Sequence, residues 1–220
     1  MYCGSPLLKQ LLIFSLFFFT LSLQAAEIAM SPAERLAQQF AAMESLSGRF
    51  EQRIVDEKGE LLQEASGDFS VKRPRQLYWK TTDPYQHLVV TDGKILWLYD
   101  MDLEQVTRQP FSEDLDRAPA LILSGETDAL AQQFVISLNE PSKQNEDDLE
   151  FSLVPKSEGG VFRKLTLRFV SGRIAAMVMV DSFQQSTQIT FDKVAYNPDI
   201  SSEIFQFSPP PGIDVIENER

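Results

Sequence analysis

From residue 47 onward the chain alternates apolar and polar positions with a period of two, interrupted by a single middle section. Phe50, Gln52 and Ile54 alternate with Arg49, Glu51 and Arg53 before Asp56 to Gly59 turns the chain. Similar runs follow at 62–71, 76–81, 87–91, 94–99 and 103–107, and again at 135–138, 149–154, 162–170, 174–180 and 187–194. Side chains on an extended backbone point to opposite faces in turn, so this alternation predicts half-buried β-strands. Gly59, Asp92-Gly93, Gly159-Gly160 and Ser171-Gly172 supply the turns. So many short consecutive strands predict an antiparallel meander, curled or nearly closed.

Ahead of the strands the period is helical. Ser31 can cap a helix, Pro32 suits its first turn and Glu34 completes a capping box, with Leu36, Phe40 and Met43 on one apolar face. The middle section, 109–134, is cut by Pro110, Pro119 and Gly125. Within it, 118–124 reads as a short apolar helix and Thr127 as the cap of another running to Phe134. Short helices between breakers suit either a lid or a patch on the core. Residues 95–99 (Ile-Leu-Trp-Leu-Tyr) are apolar on both faces, so something covers each side. Helices across a curved sheet can enclose a cavity, or the space can be filled by side chains as in most cores. Residues 139–148 form a polar connection.

The first residues bear on the compartment. Lys9 precedes an apolar run from Leu11 to Leu23, and the small residues Ala25 and Ala26 follow it. This is the layout of a secretory signal peptide cleaved after Ala25 or Ala26, giving a leader of 1–25 and a single mature domain of 26–220. An uncleaved anchor is the other reading of the same run. Cys3 lies in the leader, so the mature domain has no disulfide to lean on. With 20 Lys+Arg against 32 Asp+Glu, the chain is strongly acidic, which argues against nucleic acid and anionic lipid surfaces as partners.

Candidate chemistry is sparse. His87 is the one histidine, and no Gly-x-Ser-x-Gly elbow, phosphate-binding loop or cysteine–histidine metal set occurs. The acidic pairs Asp114/Asp116 and Asp147-Asp148 read as solubilising. The expectation is a protein that is not an enzyme and needs no cofactor.

Four motifs then narrow the field: Val71-Lys72-Arg73-Pro74 with Trp79, Thr91-Asp92-Gly93-Lys94 leading to Trp97, Ala118-Pro119-Ala120-Leu121-Ile122-Leu123, and Phe207-Ser208-Pro209-Pro210-Pro211-Gly212. In this order and spacing the mature chain resembles the periplasmic outer-membrane lipoprotein carrier family, LolA. The resemblance implies a mainly β fold with α: an incomplete antiparallel β-barrel covered by a helical lid over a hydrophobic cavity. It implies an acyl-chain cavity lined by Leu36, Phe40, Phe50, Phe69, Leu77, Trp79 and Trp97, and a lid containing Leu121, Ile122, Leu123 and Ser124. Arg73 would act as a latch on lid carbonyls near Leu123 and Ser124, although its own surroundings, beside Lys72 and Arg75, favour an exposed turn residue and only the family pattern reverses that. Leu77 stands where many relatives place an aromatic, which alters cavity shape rather than polarity.

The implied task is that of a monomeric periplasmic chaperone. It would take acylated lipoproteins from an inner-membrane ATP-binding-cassette release complex and pass them to an outer-membrane lipoprotein receptor. A lipid- or glycolipid-binding sensor on the same fold is the alternative.

Overall fold

The computed structural model describes residues 30–111, 119–125, 127–139, 148–157 and 162–218. The predicted leader, the turn at Gly159-Gly160, the acidic pair Asp114/Asp116 and most of the polar connection after Asn139 lie outside these residues.

The chain opens with helix α1, Pro32–Ala41. Its capping box forms as expected: Ser31 Oγ accepts from Glu34 N at 3.3 Å, and the Glu34 carboxylate accepts from Ser31 N at 2.7 Å. Two otherwise orphaned donors at the helix start are thereby satisfied. Met43 falls past the helix end yet stays buried beside Leu36 and Phe40.

Strands β1 (Ser45–Val55), β2 (Leu61–Lys72), β3 (Gln76–Asp83), β4 (His87–Thr91), β5 (Ile95–Asp100) and β6 (Gln105–Pro110) make the first half of the sheet. A 3-10 turn, Pro119–Leu123, and helix α2, Thr127–Gln133, occupy the middle section. Strands β7 (Phe134–Asn139), β8 (Leu149–Pro155), β9 (Phe162–Val170), β10 (Arg173–Asp181) and β11 (Ser186–Tyr196) follow. Beyond them the alternation held no signal for a 3-10 turn at Ser202–Phe205 or for strand β12, Asp214–Glu217.

All these strands join one sheet in the order β12-β6-β5-β4-β3-β2-β1-β11-β10-β9-β8-β7. Neighbours pair antiparallel except β12, which runs parallel to β6. The sheet has two edges, β12 and β7, so the barrel is incomplete.

One face of the sheet carries Phe50, Phe69, Val71, Leu77, Trp79 and Leu96 on one side of β1, and Phe151, Leu153, Leu167, Phe169 and Met177 on the other. Leu36 and Phe40 of α1, Leu121 to Leu123 of the lid turn and Leu130 of α2 press into the same cluster. At its centre the Phe50 and Trp79 rings stack at 3.9 Å, flanked by Phe69 at 5.7 Å from Trp79. Gly67 makes room for that stack, because a Cβ there would lie 1.9 Å from Lys80 O and 2.8 Å from the Phe50 ring.

The opposite face of β4–β6 has its own buried cluster. Directly opposed residues in a ladder share a face. The pairs Val90–Trp97, Leu88–Tyr99 and Tyr99–Val106 therefore point away from α1. Phe205 is buried to 1% exposure. Phe207 lies 5.5 Å from Trp97 and 5.7 Å from Tyr99, between ring centres. The two-faced apolar strand is explained by these two covers: α1 and the lid on one face, the C-terminal segment on the other.

Candidate functional site

The site is built on the turn between β2 and β3, residues 73–75. Arg73 N donates to Glu44 O at 2.9 Å, tying the turn to the connection after α1. Arg75 adopts a left-handed φ of 65°, which turns its backbone N–H towards the lid, where it donates to Ser124 O at 2.7 Å. The lid turn is itself closed by Ser124 N and Gly125 N, which donate to Leu121 O at 3.0 and 2.9 Å. Leu121, Ile122, Leu123 and Ser124 are all buried.

Arg73 reaches the same segment with its side chain. Nη2 donates to Gly125 O, and the guanidinium lies 4.6 Å from the centre of the Phe40 ring. Nη1 is buried and has no hydrogen-bond partner among the described residues. Loss of hydration around this cation lowers its pKa to about 10. The Ser124 carbonyl accepts from the Arg75 N–H, and that of Gly125, one residue beyond the expected Leu123 and Ser124, accepts from the Arg73 side chain. The left-handed conformation at Arg75 was not visible in the sequence.

Beside Arg73 opens a cavity of about 740 Å³ whose lining includes Phe40, Met43, Lys72, Arg73, Gly125 and Ile200. Its floor is apolar, from Phe40 and Met43. Its rim mixes Lys72 and Arg73 with the carboxylates of Glu44 and Asp199. Lys72 Nζ donates to Ile200 O at 3.1 Å. Asn197 fixes one wall: its Oδ1 accepts from Glu44 N at 2.9 Å and its Nδ2 donates to Ala42 O at 3.1 Å. Sequence reasoning passed over Asn197, although Asn-Pro at 197–198 is a turn signal and this asparagine has a left-handed φ of 53°.

Of the residues expected around acyl chains, Leu36, Phe40, Phe50, Phe69, Leu77 and Trp79 come together in one cluster beneath the lid. Phe40 also lines the open cavity; the others are close-packed, since α1 and lid side chains fill the space above them. Trp97 differs. It lies on the far face of β5, where Arg108 Cζ sits 5.5 Å over its ring and Arg108 Nη1 pairs with Glu217 at 2.8 Å. Strand alternation put Leu96, not Trp97, under the lid. His87 is exposed, with Nδ1 3.6 Å from Asp100. Among the described residues no group of three or more His, Cys, Asp or Glu side chains is arranged to hold a metal ion.

The chain matches the family described as outer membrane lipoprotein carrier protein LolA over residues 41–208. The outer-membrane lipoprotein carrier protein of Chromohalobacter salexigens is 40% identical over 191 residues, spanning 87% of this chain and 89% of its own. That of Azotobacter vinelandii is 37% identical over 207 residues, spanning 91% and 98%. A crystal structure of an uncharacterized conserved protein from Thermus thermophilus shares the fold alone, with a TM-score of 0.51 at 12% identity over 84% of this chain and 97% of its own. An incomplete barrel covered by short helices, and family likeness over most of the chain, lead to one conclusion: this protein belongs to the outer-membrane lipoprotein carrier family.

Proposed function

We propose that this protein is a periplasmic lipoprotein chaperone. It accepts acylated lipoproteins from an inner-membrane ATP-binding-cassette release complex, shelters their acyl chains beneath its lid and hands them to an outer-membrane lipoprotein receptor. It does this as a monomer of one domain, residues 26–220, after losing a leader of 1–25, and it catalyses no reaction. Its relatives are named as carriers of this kind.

The observation that carries this reading is the Arg73–Gly125 hydrogen bond beside an otherwise apolar interior. A lid held on such a core by few polar bonds can lift when apolar chains replace the side chains of α1 and the lid. Burying an acyl chain contributes about 0.8 kcal/mol per methylene, so three long chains fully buried would approach the ceiling of noncovalent affinity. Release would then be too slow. The cost of lifting a packed lid offsets part of that gain and brings binding into an exchangeable range. Transfer then needs only successive partners of rising affinity.

The test is capture of cargo. A photo-crosslinking amino acid at Leu123 should trap triacylated lipoproteins when the protein is mixed with inner-membrane vesicles and ATP. Mass spectrometry should identify the trapped chains. Absence of lipoprotein from the crosslinked product would refute the carrier role.

A further inference from the structure

The strands of the sheet turn at two ends, and the two ends differ. Turns 73–75, 92–94 and 171–172, at the end that holds Arg73, expose no large apolar side chain. Hairpins β1–β2, β3–β4, β5–β6 and β10–β11 all turn at the other end, as the pairs Val55–Leu61, Val55–Ser186, Ser66–Asp83, His87–Asp100 and Asp100–Gln105 require. These four hairpins are neighbours in the sheet. Each carries an exposed large apolar residue at or beside its turn: Leu61 with Leu62, Tyr85, Leu103 and Phe183. Phe183 is 80% exposed and Leu103 72%. Turns ordinarily carry polar residues, and a single exposed apolar side chain needs no explanation; one on each of four neighbouring hairpins does.

The turns that present these side chains are fixed by aspartates. Phe183 N and Gln185 N each donate to Asp181 Oδ1 at 2.8 Å, and Glu60 N donates to Asp56 Oδ1 at 2.8 Å. Leu103 N donates to Asp100 Oδ1 at 2.9 Å, while Gln86 N donates to Asp102 Oδ2 at 3.0 Å and ties the β3–β4 turn to the β5–β6 turn. A surface held in this way loses little conformational entropy on binding. The same segments are acidic. Asp56, Glu57 and Glu60 precede Leu61, while Asp100, Asp102 and Glu104 flank Leu103, and Lys58 is the one Lys or Arg in 56–62, 83–86, 100–104 and 181–185. The next cations along the sheet, Arg163 and Lys164, lie on β9, beyond the last of the four hairpins. An anionic lipid surface would repel these carboxylates, and a zwitterionic one carries no net charge to attract them. A protein face of apolar pockets ringed by Lys and Arg complements both the anchors and the charge.

We propose that this row of hairpin turns docks the protein on a membrane-bound protein partner whose contact face carries apolar pockets ringed by Lys and Arg. The inference rests on the carrier reading, in which cargo leaves one membrane and enters another, and adds the surface that grips the partner. The 12 residues of β2 separate these turns from the turn at Arg73, roughly 35 Å at about 3.3 Å per residue. A partner held there leaves the lid and the cavity beside Arg73 free to exchange cargo. The apolar anchors set the residence time, and the acidic field sets the rate of encounter.

The experiment measures retention of the labelled protein, expressed from its full chain, on inner- and outer-membrane vesicles. Liposomes of phosphatidylethanolamine and phosphatidylglycerol serve as the lipid-only probe. Leu62→Ser with Phe183→Ser removes two exposed anchors. Glu57→Lys with Glu60→Lys reverses local charge and leaves the aspartates that fix the turns. The wild type should bind vesicles of one membrane in preference to liposomes, and more weakly as salt rises. Each double variant should bind those vesicles at least about tenfold more weakly, as truncated anchors do, with its affinity for a fluorescent acyl probe unchanged. Undiminished vesicle binding by either variant, or equal binding of the wild type to vesicles and liposomes, would overturn the docking surface. So would a matching loss of acyl-probe affinity, which would assign these turns to the cargo site. A wild type that binds neither kind of vesicle overturns it too. The Leu123 crosslink, run in parallel, separates the readings: with lipoprotein still trapped the carrier reading stands, and with none trapped both fall.

Discussion

Replacing Arg73 with leucine tests whether this side chain acts as a latch on the lid. In the empty protein the guanidinium donates to Gly125 O and stacks over Phe40. A hydrogen bond from a charged group is worth roughly 1.5–3 kcal/mol and a cation–ring contact about 1 kcal/mol. Against these stands dehydration of the cation: a pKa lowered to about 10 corresponds to roughly 3 kcal/mol. The terms nearly cancel, so on the carrier reading Arg73 would hold the lid only weakly. Loading changes the balance. On the carrier reading the Gly125 bond is lost when the lid lifts, while the cation stays dehydrated. With that bond gone, dehydration of roughly 3 kcal/mol stands against a cation–ring contact of about 1 kcal/mol, so cargo beside Arg73 would be disfavoured by about 2 kcal/mol relative to cargo beside an apolar side chain.

Arg73→Leu removes that disfavour. Uptake from inner-membrane vesicles should be normal, and delivery to the receptor should slow at least about tenfold, since roughly 1.4 kcal/mol is a factor of ten. The assay follows a labelled lipoprotein through both steps and fits the delivery rate alone. Delivery by Arg73→Leu at the wild-type rate would refute the reasoning and return Arg73 to the status of an ordinary turn residue.

Other substitutions test the frame around the site. Gly67→Ala places a Cβ 1.9 Å from Lys80 O and against the Phe50 ring, so denaturant unfolding should show a loss of about 2 kcal/mol from overpacking. Trp97→Asp acts on the far face of the sheet, so acyl-probe affinity per folded molecule should be unchanged while the melting temperature falls; lost probe affinity at full folding would place Trp97 in the cavity after all. The Glu34 carboxyl is held below its usual range by hydrogen bonds from the Ser31 backbone and side chain. A depressed carboxylate contributes stability above its unfolded pKa and loses it as pH falls through the folded one. Glu34→Gln should therefore flatten the acid limb of the stability curve below about pH 4.5, as read by thermal melts.

The frame was legible in the chain because it depends on periods. Alternation from Phe50 onward placed β1 to β11, and Ser31 to Glu34 gave α1 with its cap, since neighbours a few residues apart dictate both. The motif around Arg73 also marked the turn that touches the lid. What pattern could not supply was contact at long range. Which face of residues 95–99 looks inward is set by the register of β4 and β6 and by the C-terminal segment, more than a hundred residues away. Strand β12 owes its place to pairing with β6 rather than to its own short, exposed sequence. The lid acceptors were decided in the same way: the fold brings Ser124 O to the N–H of left-handed Arg75 and Gly125 O to the Arg73 side chain. The sequence determined a curved sheet, a capped helix and a basic turn; the tertiary structure alone decided which carbonyls that turn meets, because they depend on atoms that only folding brings together.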